Sequence, residues 1–275
     1  MTEFALEVLL HWVAVALYIL AAVLLANAVI FDHPRRVRWG GALAAAGLVP
    51  HAAALLLRWR AVGHGPYMMK YEVLSSNAFM AVAALLVVLA WRRSSAWLSL
   101  VVMPGAIVLV AVALFSSPEA RSLPPTLRSA WLVFHVFLAK VSAATFLLSV
   151  AASAVLLWKR AGRTWQWLGR APGPESLEVY VVRFLQFGFV FWTATVAAGA
   201  VWANASWGRY WGWDAVETWS LVTWIAYGSV IHVRLFFRPR PVTIAWLTVG
   251  AFSVFVLTGL VLPYAIPSMH SAYMQ

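Results

Sequence analysis

Eight long apolar stretches dominate the chain, each separated from the next by a short polar or basic break. They run roughly from Ala5 to Phe31, Trp39 to Leu57, Val73 to Trp91, Trp97 to Ser116, Ser129 to Trp158, Tyr180 to Trp202, Trp219 to Phe237, and Val242 to Leu262. A helix needs about 20 mostly apolar residues to cross the hydrocarbon of a bilayer. The pattern therefore predicts an all-α polytopic integral membrane protein with about eight transmembrane helices, and an even number of spans puts both termini on one side. No internal repeat, low-complexity stretch or soluble domain interrupts it, so residues 1–275 read as a single membrane-embedded domain. Two breaks, near Ser117 to Arg128 and Lys159 to Pro174, contain proline. The second carries Trp165, Trp167 and Leu168 among basic residues and reads as an interfacial segment. The N-terminus carries Glu3 and Glu7 and no basic region of the kind a signal peptide has, so the first apolar run reads as a retained span.

Composition supports the bilayer. Hydrophobic residues make up 63% of the chain and charged ones 11%, far below the quarter usual for a soluble domain. The net charge of +11 is not gathered into a basic face, so nucleic acid is not an expected partner. The basic residues lie in the breaks, where they encode topology. Arg35, Arg36, Arg38, Arg92, Arg93, Lys159, Arg160, Arg163, Arg170, Arg234, Arg238 and Arg240 fall on one side. Arg58, Arg60, Lys70, Arg121, Arg128 and Arg209 fall on the other, and Lys140 and Arg183 fall within spans. The richer side is the expected cytoplasmic one, which leaves both termini outside. The chain has no cysteine, which excludes a disulfide, a thiolate metal site and covalent haem attachment within it.

One segment stands apart. Residues 202–224 read WANASWGRYWGWDAVETWSLVTW, with Trp202, Trp207, Trp211, Trp213, Trp219 and Trp224 interleaved with Asn204, Gly208, Gly212 and Asp214. The outer loop and helix start it forms are consistent with an interfacial aromatic belt. They are equally consistent with a flat platform for a planar apolar ligand such as a porphyrin. The residues alone leave both open. Asp214 and Glu217, at capping-box spacing, suit a helix N-terminus or a hydrogen bond that orients a histidine.

The segment WGRYWGWDAVETWSLVTW, with Asn204 before it and His232-Val233-Arg234 after it, resembles the tryptophan-rich WWD signature of haem-handling proteins in cytochrome c maturation. The likeness is nearest to the CcsA/ResC type. GHGPYMMKYE at residues 63–72, SAWLVFHV at 129–136, LEVYVVRFLQFGF before the Trp-rich motif and MHSAY at 269–273 resemble further motifs of that family, in family order. Met69 stands where members commonly have Asn, and Ala215-Val216 where they have Pro-Lys. The resemblance implies the core subunit of a two-component cytochrome c synthase. Such a core moves haem b across the membrane and presents it on the outer face for covalent attachment to apocytochrome c. Its implied partners are a ResB/CcsB-type membrane subunit, an apocytochrome c bearing C-x-x-C-H, haem and membrane lipid. The implied location is a bacterial inner membrane or a thylakoid membrane, with lyase activity only in the presence of the partner subunit.

The histidines sort by depth. His135 lies about 10 Å below the outer end of the fifth span, and His270 follows the eighth span on the same side. Each alone reads as a satisfied polar residue; together, flanking the Trp-rich loop, they read as a ligand pair, which is also the role the resemblance implies. Trp207, Trp211, Trp213, Asp214 and Trp219 are the expected contacts around the macrocycle. His232, about 20 Å deeper than Trp219, cannot share iron with that pair. The resemblance implies that it is half of a second, intramembrane haem site completed by the partner. His64 reads as a solvated loop residue, and His11, His33 and His51 are unassigned. Lys140 projects about 140° from His135 around the fifth helix and suits a propionate or a snorkelling role. Arg58, Arg60 and Arg209 are outer-side candidates for propionate pairing. Three competing readings remain: an electron-transfer subunit with permanent b haems, the haem-delivery subunit of the multi-protein maturation system, and a haem-independent transporter.

Overall fold

The computed structural model describes residues 3–116, 124, 127–162, 165–266 and 268–269. Residues 117–123 of the first proline-containing break, Arg163, and His270 with the tail after it lie outside the described residues. Among the described residues every regular element is helical: α1 Glu3–Ile30, α2 Pro34–Val62, α3 Lys70–Trp91, a 3-10 turn Arg93–Leu98 leading into α4 Ser99–Leu114, α5 Ala130–Arg160, α6 Gln166–Arg170, α7 Pro174–Trp207, α8 Ala215–Phe236, α9 Pro241–Val256, a π-helical turn Leu257–Val261 and α10 Leu262–Ala265.

All eight expected stretches are helical. Seven are long and apolar enough to cross a membrane; α9 and α10 form one of them, running through the π turn. The remaining stretch, α8, has 22 residues and is less apolar, because Trp, Thr, Ser and His punctuate it. The chain is an all-α polytopic membrane protein. Large apolar side chains such as Trp39, Trp91, Val190 and Trp246 lie more than half exposed, as lipid-facing positions do.

The chain divides into two compact units: residues 1–122 with 158–173, and residues 123–157 with 174–275. In unit 1, α2 buries Gly40, Ala44, Gly47, His51, Ala54 and Arg58, a stripe at three- and four-residue spacing along one helix face. Without a hydrophobic drive between helices in lipid, small residues let backbones close on one another. Gly40 accordingly packs on Leu25 and Gly47 on the Tyr18 ring. The α6 segment folds onto the same unit: Trp167 and Leu168 are buried, Trp167 packs edge-on against Trp158 at 6.0 Å, and Lys159 Nζ donates to the carbonyls of Ala171 and Pro172.

In unit 2, serine hydroxyls stitch α5 to α7. Ser142 donates to the Gly188 carbonyl and Ser149 to the Val181 carbonyl, each at 2.8 Å. Phe146 of α5 is fully buried, stacks on Tyr227 of α8 at 3.7 Å and meets Phe255 of α9 edge-on. Its ring fills the space over Gly188, where a Cβ would collide with it. Trp192 and Trp224 then tie α7 to α8 through their indole N–H groups, to the Ser220 carbonyl and the Thr193 hydroxyl.

Candidate functional site

The aromatic end of unit 2 is built by the start of α5, the end of α7, the linker 208–214, the start of α8 and the residues after α10. His135 sits five residues into α5. Its Nδ1 lies 2.8 Å from the Thr195 carbonyl, and a carbonyl oxygen only accepts, so Nδ1 carries the proton. In the neutral ring Nε2 is then the lone-pair nitrogen, the form in which an imidazole ligates a metal. The ring reaches that carbonyl because α7 offers no side chain at Gly199: a Cβ there would stand 2.8 Å from His135 Nδ1. One turn on, Trp202 stacks on the imidazole with a centroid distance of 6.3 Å and a 25° tilt. Thr195, Gly199 and Trp202 recur at four- and three-residue spacing, so one face of α7 supplies the acceptor, the clearance and the stacking surface.

Trp202 meets Trp207 at 4.8 Å and 62°, and Trp211 meets Trp213 at 5.9 Å and 86°. The rings therefore do not form the flat platform expected from their density; they stand as steeply angled pairs, a cradle in place of a floor. The linker that presents them is held tightly. Gly208 closes α7 in the left-handed region at φ 72°, its N–H returning to the Asn204 carbonyl at 2.9 Å, as a C-terminal glycine cap does. Trp213 also sits at positive φ, 58°, a conformation costing a non-glycine residue about 1–2 kcal/mol. Glu217 fixes it from both sides: one carboxylate oxygen accepts from Gly212 N–H at 2.7 Å and from Asp214 N–H at 3.2 Å. A strained backbone held in this way leaves the Trp213 indole 71% exposed.

Asp214 has two tasks. One oxygen accepts the Val216 N–H at the N-terminus of α8, completing with Glu217 the capping box that the spacing suggested. The other accepts the Met269 N–H at 3.0 Å, which holds the residue before His270 against the Trp-rich linker. Asp214→Ala is expected to lower the stability of unit 2 by about 1 kcal/mol through the lost cap, read as a lower thermal midpoint, whereas Asp214→Asn keeps an acceptor and loses less.

The remaining sequence-predicted residues fall as follows. Trp219 is partly buried in the first turns of α8, its carbonyl accepting from Thr258 in the π turn. His232 lies about 27 Å along α8 from Asp214, exposed, with Phe236 stacked on it at 4.4 Å and Phe237 beside it. Arg234 there pairs with Glu178. Arg58 is not available to an outer ligand, being buried with its Nε 2.9 Å from Glu72 Oε1. His64 is not solvated but 3% exposed, its Nδ1–H donated to the Gly65 carbonyl. Glu72 also accepts the N–H groups of Met68 and Met69, so the GHGPYMMKYE segment is a buried clasp at the start of α3. His11 and His51 have both ring nitrogens engaged by other side chains or backbone. Sequence reasoning missed Thr195 and Gly199; their spacing with Trp202 was the available signal.

Residues 67–270 match the family described as cytochrome C assembly protein. The cytochrome c biogenesis protein CcsA of Synechococcus sp. (strain CC9902) is 34% identical over 216 residues, covering 66% of this chain and 69% of the relative. That of Parasynechococcus marenigrum (strain WH8102) is 35% identical over 215 residues, covering 66% and 68%. Among solved structures, the cytochrome c haem lyase CcmF matches with a TM-score of 0.69 and 18% identity, over 94% of this chain and 46% of that one. That likeness is one of fold, and this chain spans about half the length of the lyase. With the family match covering most of its length, the chain belongs to the cytochrome c assembly protein family, and cytochrome c maturation is the process it serves.

Proposed function

We propose that the aromatic end of unit 2 holds haem b through His135 and His270 and presents it for attachment to apocytochrome c. The observation that carries this reading is the His135 ring: its proton is committed to the Thr195 carbonyl, so the lone pair is on Nε2, while Trp202 backs the ring. That is a donor suited to haem iron. Asp214 supports the second ligand by tethering Met269. Trp207, Trp211, Trp213 and Trp219 supply apolar and stacking surface around a macrocycle. The vinyl groups of bound haem supply the chemistry of thioether formation. His135 and His270 would hold the group, and the tryptophans would orient it and limit the water around it for a C-x-x-C-H segment.

In this reading the aromatic end faces the outer or lumenal side of a bacterial inner membrane or thylakoid membrane, and both termini share it. His232, exposed and flanked by Phe236 and Phe237, is half of an intramembrane haem site whose second ligand comes from a ResB/CcsB-type subunit. The pair then acts together as a cytochrome c synthase. The test is a haem spectrum of the chain purified alone and with that subunit. Co-purification is expected to add a second bis-imidazole haem that His232→Gly removes; two stable haems in the chain alone would favour a permanent b-haem electron carrier instead.

A further inference from the structure

The last membrane-crossing helix departs from α geometry just before the segment that carries His270. At its π turn the Leu262 N–H donates to the Leu257 carbonyl, five residues back, where an α-helix would use Thr258. Pro263 gives the reason: it has no N–H, and in an α-helix its ring would press on the Gly259 carbonyl. A π turn takes in one extra residue, and such turns gather at functional sites. One residue is worth about 100° of rotation and 1.5 Å of rise. The turn therefore sets the face from which α10 and the chain after it leave the helix.

Thr258 locks that turn to α8. It is 1% exposed, and Thr223, which faces it, is fully buried. Thr258 Oγ1 lies 2.9 Å from the Val254 carbonyl, 3.2 Å from the Trp219 carbonyl and 2.8 Å from Thr223 Oγ1. Both carbonyls only accept, so the one Thr258 proton goes to them and the Thr223 hydroxyl donates to Thr258. The carbonyl four residues back is enough to satisfy a helical threonine. The Trp219 and Thr223 contacts are additional, and both reach α8. Trp219 belongs to the Trp-rich segment, about 7.5 Å along α8 from Asp214. Asp214 grips the same C-terminal chain again, accepting the Met269 N–H at 3.0 Å. That second bond is exposed, where water competes for both groups, while the Thr258 contacts are buried, where a hydrogen bond is stronger. Helix α8 and its N-cap thus hold the C-terminal segment at one buried point and one exposed point.

We propose that Thr258 is a positioning residue: by fastening the π turn to Trp219 and Thr223, it directs the segment carrying His270 to the Trp-rich linker. This rests on the reading of His135 and His270 as a ligand pair. Thr258 acts at a distance, through the chain between the π turn and Met269. The turn fixes the face of the helix, the Thr258 hydroxyl fixes the turn, and Asp214 catches Met269 once the chain has been brought to it.

The chain has no cysteine, so a pair introduced as Ala215→Cys and Met269→Cys reports on this placement without haem. The full chain in lipid nanodiscs is treated with a short bis-maleimide, and the rate of intramolecular cross-linking is read by mass spectrometry. Thr258→Val keeps the shape of the side chain and removes the hydroxyl. It is expected to slow cross-linking about fivefold at unchanged single-cysteine labelling rates, with Thr258→Ser restoring the rate. In the cysteine-free chain, Thr258→Val is expected to shift the haem spectrum from two nitrogen ligands towards one, again restored by serine. Wild-type cross-linking in Thr258→Val overturns the proposal, and so does slowed cross-linking beside an unchanged two-nitrogen spectrum. Failure of the ligand-pair reading shows separately, as a spectrum that His270→Gly leaves unchanged; cross-linking alone then decides whether Thr258 places the segment. Should Thr258→Val fail to fold, Thr223→Val decides: slowed cross-linking supports the proposal, and the wild-type rate overturns it.

Discussion

Glycine in place of both His135 and His270 is expected to abolish haem retention at the aromatic end of unit 2 and to reduce cytochrome c yield to background. The angled Trp pairs offer apolar contact, which is sequence-tolerant and reversible; in the proposed site it is the two imidazoles that would hold the group in register. His135 is prepared for the bond, since the Thr195 carbonyl takes its Nδ1 proton and so fixes both tautomer and ring direction. With either histidine gone the proposed site would keep a single ligand, so each single substitution is expected to weaken retention and the pair to end it. The measurements are the haem spectrum of the chain purified with the proposed ResB/CcsB-type subunit and the cytochrome c yield of cells carrying the variant. A glycine inside α5 costs about 1 kcal/mol, so a thermal midpoint lowered by no more than a few degrees separates ligand loss from misfolding. Full haem occupancy with normal yield in the double variant would remove His135 and His270 from the site.

Much of this architecture was legible because a bilayer makes hydropathy nearly equivalent to topology. The eight helices were readable from their apolar lengths, and the α8 capping box from the Asp214-to-Glu217 spacing, because both signals are local. The family motifs placed attention on His135 and the Trp-rich linker for the same reason. The angles between the tryptophans were not legible: they depend on Trp213 adopting a left-handed backbone, which Glu217 imposes from four residues away. The sequence reads His64 as solvated and Arg58 as a candidate for a propionate, because the burial of both depends on α3 bringing Glu72 to them. His11 and His51 drew no assignment since their common partner, Ser75, is 64 and 24 residues distant. A serine in an apolar run carries no mark of what it bridges.

Gly199 lies outside the family motifs, marked only by its spacing to Trp202, and its replacement tests how finely His135 is set. A Cβ at position 199 would stand 2.8 Å from Nδ1 and 2.9 Å from Cε1 of the imidazole, closer than real contacts allow. The obstacle is a ring, not the loose end of a flexible side chain, so the ring must swing away from α7. In doing so it loses the Thr195 carbonyl, its stacking on Trp202 and the orientation of Nε2 together. Loss of such an outer partner of a ligating histidine typically costs about 10- to 100-fold in metal affinity, and Gly199→Ala is expected to lower haem affinity by about that factor. The spectrum should shift from two nitrogen ligands towards one. Helix propensity works in the opposite direction, since alanine favours a helix over glycine by about 1 kcal/mol. The variant should therefore lose haem without losing the fold, a combination that a merely destabilised protein does not give. Gly250→Ala on α9, where a Cβ meets nothing within 4 Å, is the matched control and should bind haem as the wild type does. Equal affinity in both variants would mean that the His135 ring does not need the Thr195 carbonyl to hold iron.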